Sequence, residues 1–143
     1  MSFKKYINFP IIDLHTHLRS QIAKHTKIAE QSGTRAVVYM ANSRSPLDDL
    51  VRIKKSLKRK RRVVALPVCA ISKDLKGEEL VEVEKIRNYV VGFSDDGKCL
   101  QNLDLLAEIL KKQVLVLAHL EPEVVMLKKY LRVLKRVGGK LHF

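Results

Sequence analysis

Short apolar runs alternate with amphipathic stretches along nearly the whole of this 143-residue chain, and few folds accommodate that rhythm. Runs of strand character fall at residues 11–14, 36–40, 63–68, 89–93, 114–118 and 140–143, which makes six. Between them, apolar residues at helical spacing predict five helices, over residues 21–31, 47–60, 77–87, 103–112 and 121–137. Strands and helices in strict alternation predict an α/β fold with a parallel sheet, because parallel neighbours need a long return connection. In the last helix Leu127, Tyr130, Leu131, Leu134 and Val137 recur at three- and four-residue steps, giving one apolar face, and Gly138 and Gly139 stop it. No repeat, low-complexity tract or Pro/Gly-rich linker divides the sequence, so residues 1–143 read as a single domain.

A hydrophobic share of 46% with 30% charged residues permits a buried core and argues against disorder. No apolar run approaches the ~18 residues of a spanning helix, and no signal-like stretch precedes Asp13, so a soluble cytoplasmic protein with no membrane partner is expected. Cys69 and Cys99 are 30 positions apart in no metal-like pair, which fits a reducing compartment.

The chain carries 28 Lys and Arg against 15 Asp and Glu, a net charge of +13. Residues 51–62 hold eight of these bases: Arg52, Lys54, Lys55, Lys58, Arg59, Lys60, Arg61 and Arg62. A second cluster comprises Lys128, Lys129, Arg132, Lys135, Arg136 and Lys140. Such patches attract nucleic acid, an acidic partner protein or a charged substrate. The plainer interpretation is a solvated helix face, since Leu47, Leu50, Ile53 and Leu57 keep helical spacing with the bases mostly off that stripe. No aromatic residue interleaves with the run, so binding of nucleic acid as single strands is disfavoured.

Polar residues gather just after the strand runs: His15 and His17, Asn42, Ser72 and Lys73, Asp95 and Asp96, and His119. In parallel α/β folds the site lies at the carboxyl ends of the strands, so these distant residues are expected to converge on one mouth. His15 and His17, within DLHTHLR (residues 13–19), stand two apart on an extended segment and share one side, where they can share a metal ion or be two ordinary surface histidines. Asp96, within FSDDG (residues 93–97), is a candidate carboxylate ligand; Asp95 is a candidate partner beside it, and Gly97 permits a tight turn. DDG is also a common turn. His119 ends the most apolar strand, where a core histidine is the alternative. Two histidines, a carboxylate and a third histidine form a donor set typical of hydrolytic zinc sites.

DLHTHLR, YMANSRSP (residues 39–46), AISKDLKGEEL (70–80), VVGFSDDG (90–97) and AHLE (118–121) together resemble dihydroorotases of the amidohydrolase superfamily, in order and approximate spacing. The resemblance implies a TIM-type (β/α) barrel that interconverts N-carbamoyl-L-aspartate and dihydroorotate, a small-molecule substrate pair of pyrimidine biosynthesis. It implies one or two zinc ions: His15 and His17 bind one, Asp96 bridges two as the catalytic carboxylate, and His119 binds the second. It also implies that Arg19 grips the substrate carboxylate with Asn42 beside it. The forked guanidinium of Arg19 suits a carboxylate better than a lysine does.

A closed (β/α)8 barrel takes about 250 residues. This sequence has room for six strands, which predicts a partial barrel. The resemblance further implies a sixth-strand histidine ligand and an eighth-strand aspartate base. His142, in GGKLHF (residues 138–143), lies slightly before the place of that histidine, and the aspartate has no counterpart. Ala41 stands where the family usually has proline. Open sheet edges expose unpaired N–H and C=O groups, so a homo-oligomer or a complementing chain is expected, and another enzyme of the pathway is a possible partner. The alternatives are an inactive dihydroorotase-like fragment, a basic module that binds nucleic acid or an acidic protein, and a metal-dependent nuclease on a related barrel.

Overall fold

The computed structural model describes residues 10–143. Six strands, β1 (Ile11–Thr16), β2 (Thr34–Tyr39), β3 (Val64–Cys69), β4 (Gly92–Phe93), β5 (Leu115–Leu117) and β6 (Lys140–His142), lie side by side in chain order. Every neighbouring pair is parallel. The connections carry five helices: α1 (Ile22–Gln31), α2 (Leu50–Leu57), α3 (Val83–Ile86), α4 (Leu103–Lys111) and α5 (Glu123–Val137). The sheet curls into a half-barrel, the partial barrel expected from the family resemblance and the room for six strands. No helix among the described residues is long and apolar enough to cross a membrane.

Local chemistry sets the helix bounds. Helix α2 begins at Leu50, three residues later than the apolar spacing predicts, because the Asp49 carboxylate accepts the Arg52 N–H and caps it there. Leu47 is tied into the preceding loop instead: its N–H donates to the Ala41 carbonyl and its own carbonyl accepts from Ala70. The Asn102 side chain caps α4 by accepting from Asp104 and Leu105. Helix α5 stops at Gly138, as expected, and Gly139 follows at φ 117°, where an added Cβ would lie 2.9 Å from the Leu110 carbonyl oxygen. Its buried face is rotated from the expected one. Met126, Tyr130 and Val133 are buried, whereas Leu131 is exposed, because the Tyr130 hydroxyl donates to the Leu100 carbonyl and fixes the helix about that contact.

The third crossover differs most from the periodicity. A long helix over residues 77–87 is expected, but only α3 is α-helical, flanked by 3-10 turns at Lys73–Leu75 and Arg87–Tyr89. Ser72 pairs with Leu80 as an isolated antiparallel bridge, and the Val81 N–H donates to the Ile71 carbonyl. Those bonds hold the chain extended against the loop after β3 and bury Val81, so the helix starts only at Val83. Tyr89 consequently sits in a turn, and β4 is two residues long where five are expected.

The sheet has two unlike faces. Toward the helices, Val37, Tyr39, Ala65, Cys69 and Val116 belong to one large core with Ile53, Leu106, Ile109 and Tyr130. Burial pushes the Cys69 thiol well above its ordinary pKa, so it packs as an inert apolar group. On the concave face, Val38, Met40, Val68 and Leu117 form a smaller cluster near the carboxyl ends of the strands.

Candidate metal centre

Strand β1 delivers the histidine pair to the concave side by breaking its own register. Asp13 pairs with Val37 and Thr16 with Tyr39, so β1 spends one residue more than β2 over the same distance. An unbroken strand would leave His15 and His17 on the side of Asp13, facing α1. The extra residue reverses that facing, as bulges beside functional sites commonly do. Its cause is local: the Asp13 Oδ1 accepts the His15 N–H at 3.0 Å, which diverts that group from the ladder. Asp13 and Thr16 both line the cleft under α1 with Leu18 and Val37, while the two imidazoles meet edge to face at 5.2 Å between centroids in the mouth.

The loop after β4 brings Asp96 to them. His15 Nε2 lies 3.3 Å from Asp96 Oδ1, and His17 Nε2 lies 3.5 Å from Oδ2. His119, just past β5, places Nδ1 3.5 Å from that same Oδ1. Three histidines on two strand ends thus surround one carboxylate that is itself buried. The donor atoms of His15, His17 and Asp96 all fall within 4.8 Å of one another.

Asn42 links two members of this group. Its Nδ2 donates to Asp96 Oδ2 at 2.9 Å, and its Oδ1 lies 2.9 Å from His17 Nδ1. Because the Asn42 nitrogen already serves the carboxylate, its oxygen must accept, and the His17 proton belongs on Nδ1. The Nε2 lone pair then faces a carboxylate oxygen at 3.5 Å. An ion between a neutral imidazole nitrogen and a carboxylate oxygen is bound by both, so the donor set fits a metal ion. Gly97 makes room for this link: it sits at φ +82°, and a Cβ there would lie 3.0 Å from the Asn42 nitrogen.

Asp95 turns away from the histidines. Its Oδ1 accepts the N–H groups of Ile71 at 2.8 Å and Ser72 at 3.0 Å, and its Oδ2 accepts the Ser72 hydroxyl. Burial raises the carboxyl above the ordinary carboxylate range, with the bonds from Ser72 and Ile71 acting in the opposite direction. Expected beside the metal, Asp95 instead anchors the loop after β3 to the loop that carries Asp96. The sequence marks it only as the first Asp of DDG.

Arg19, at φ 48°, lines a cavity next to the cluster with Ser20 and Arg44 rather than touching the histidines. His142 follows β5 in register, opposite Leu117, and is exposed on the concave side. The Asn42 bridge and the Asp13 bond are contacts that spacing does not reveal, although an Asp two residues before the first histidine is the recognisable mark of the latter.

Comparison with family models gave no match. Among curated proteins, a dihydroorotase from a Thermoanaerobacter species is 34% identical over 117 residues, covering 74% of this chain and 27% of the relative. The dihydroorotase of Staphylococcus epidermidis is 33% identical over 126 residues, covering 77% of this chain and 29% of its own length. That of Caldanaerobacter subterraneus is 32% identical over 117 residues, with shares of 74% and 27%. The chain therefore spans little more than a quarter of these relatives, and with its six parallel strands it is a dihydroorotase-like segment forming part of a (β/α) barrel.

Proposed function

We propose that this chain is the metal-holding part of a zinc-dependent cyclic amidohydrolase that interconverts N-carbamoyl-L-aspartate and dihydroorotate in pyrimidine biosynthesis, in the cytoplasm. One observation carries the proposal: three imidazoles surround the buried Asp96 carboxylate, and Asn42 fixes the tautomer of one of them.

His15, His17 and Asp96 would hold one zinc ion, and His119 with Asp96 a second. When bound, such an ion supplies Lewis acidity toward an amide carbonyl and acidifies water. The protein's own part is positional. Asn42 keeps the proton of His17 on Nδ1 and directs Nε2 inward, while the Asp13 bond turns both rings to the mouth. Arg19, exposed beside the cluster, offers a two-pronged donor to a substrate carboxylate. The uncovered concave face favours activity in an assembly, either with further copies or with a chain that supplies the remaining barrel and its general base.

The test is cyclisation of N-carbamoyl-L-aspartate at mildly acidic pH by the purified chain with added zinc, beside His17→Ala. Turnover in the parent protein and its loss in the variant is the expected result. Equal rates in both would point to a contaminating enzyme and overturn the assignment.

A further inference from the structure

The basic run of residues 51–62 has no part in the metal centre, yet three of its members face one cavity. Arg52, Lys55 and Arg59 recur at three- and four-residue steps along and just beyond α2, and with Arg19 and Arg44 they line a cavity of about 360 Å³. That volume is in the range of small-molecule sites. The hydroxyl-bearing residues Ser43, Ser45 and Ser56 lie along the same wall, and no carboxylate does.

The charges there are unevenly matched. Arg52 is paired with Asp48 and with Asp49 at 3.1 Å. Arg59 donates only to the Ser20 carbonyl, which leaves its charge in place. The side chains of Arg19, Arg44 and Lys55 have no ion pair or hydrogen bond among the described residues. Four cations thus surround one space without a counter-charge, over a floor of buried Ile22, Tyr39, Met40 and Leu47. An isolated solvated helix face has neither a concave floor nor cations converging from two other loops.

We propose that this cavity binds a small, multiply charged phosphoryl compound of the diphosphate class. Arg44 and Arg19 supply forked donors, Lys55 and Arg59 supply further positive charge, and the serines supply hydroxyl donors to phosphoryl oxygens. A singly charged carboxylate would leave most of this charge unmatched. Neither the histidines nor Asp96 line it, while Arg19 is shared with the proposed grip on the substrate carboxylate, so His17→Ala separates a failure of the metal centre from a failure of this site.

Calorimetric titration of the full chain with inorganic pyrophosphate, at fixed ionic strength and with a chelator present, tests the proposal. Binding should be saturable, unchanged in His17→Ala, and at least about tenfold weaker in Arg44→Ala/Lys55→Ala, whose side chains have no partner to lose. Lys128→Ala/Lys129→Ala, with the same change in net charge, should bind like the parent. A nucleoside diphosphate that binds more tightly than pyrophosphate identifies an organic ester as the ligand, engaging the apolar floor; equal affinity identifies the free diphosphate. Equal weakening in both double variants would reduce the effect to overall charge and overturn the site. So would full displacement of pyrophosphate by N-carbamoyl-L-aspartate, or absent pyrophosphate binding alongside RNA binding that Arg44→Ala/Lys55→Ala abolishes.

Discussion

The two faces of the sheet meet different fates. On the helix side Val37, Tyr39, Ala65 and Cys69 are 3% exposed or less, and helices pack over β2, β3 and β5. On the concave side Ile12, Ala36 and Val64 form a row across three strands, and Ile12 and Val64 remain 59% and 57% exposed. Only near the carboxyl ends, where Val38, Met40, Val68 and Leu117 close together, is the concave side buried. The outer layer therefore carries the larger core and holds the fold, whereas the inner layer is organised around the mouth. Stability and the candidate chemistry lie on opposite sides of one sheet, which lets substitutions separate them.

The largest effect is expected in the outer layer. Leu106→Ala, at a fully buried position, should cost about 2–5 kcal/mol by denaturant unfolding, since it leaves a cavity between α4 and the sheet. Next is the link between the two loops at the mouth. Asp95→Ala strips the partner from two buried N–H groups and should cost about 2–3 kcal/mol, while Asp95→Asn, which keeps one acceptor oxygen, should cost less.

Substitutions that act on the mouth should move metal affinity more than stability. Asn42→Ala releases both His17 and Asp96 and should weaken zinc binding about 10–100-fold, with little change in the unfolding midpoint. Asp13→Ala removes the bond that reverses the facing of the histidines, and a roughly tenfold loss of zinc affinity is expected; unchanged affinity would mean that the register break persists without it. The smallest effect belongs to the exposed row. Val64→Thr should alter stability by no more than about 0.5 kcal/mol by denaturant unfolding, and a large destabilisation would show that the concave face is more tightly packed than its exposure indicates.

Much of this division is legible in the sequence. Alternating strand and helix periods give the parallel order, and the polar residues after strands include His15, His17, Asn42, Asp96 and His119 of the mouth, because strand ends converge, but also Ser72, Lys73 and Asp95, which find partners elsewhere. The third crossover departs from the expected helix because Leu80, Val83 and Ile86 keep the three-residue steps of a helical face, whereas the Ser72 to Leu80 bridge holds the chain extended up to Val83. The facing of His15 and His17 is hidden for a related reason. Spacing puts them on one side, but a single extra residue in β1 selects which side, and that depends on a hydrogen bond. The cationic cavity is likewise spread over loops far apart in sequence. The periodicity of α2 shows which bases share a face and cannot show that Arg19 and Arg44 meet them.

The measurement that bears most directly on the metal centre is zinc content after gel filtration of the full chain, under reducing and chelator-free conditions, beside Asp96→Asn. The mouth as built should retain zinc in the parent protein and lose it in the variant, with both folded by circular dichroism. Equal retention in the two proteins, or none in the parent, would contradict a metal centre at His15, His17 and Asp96.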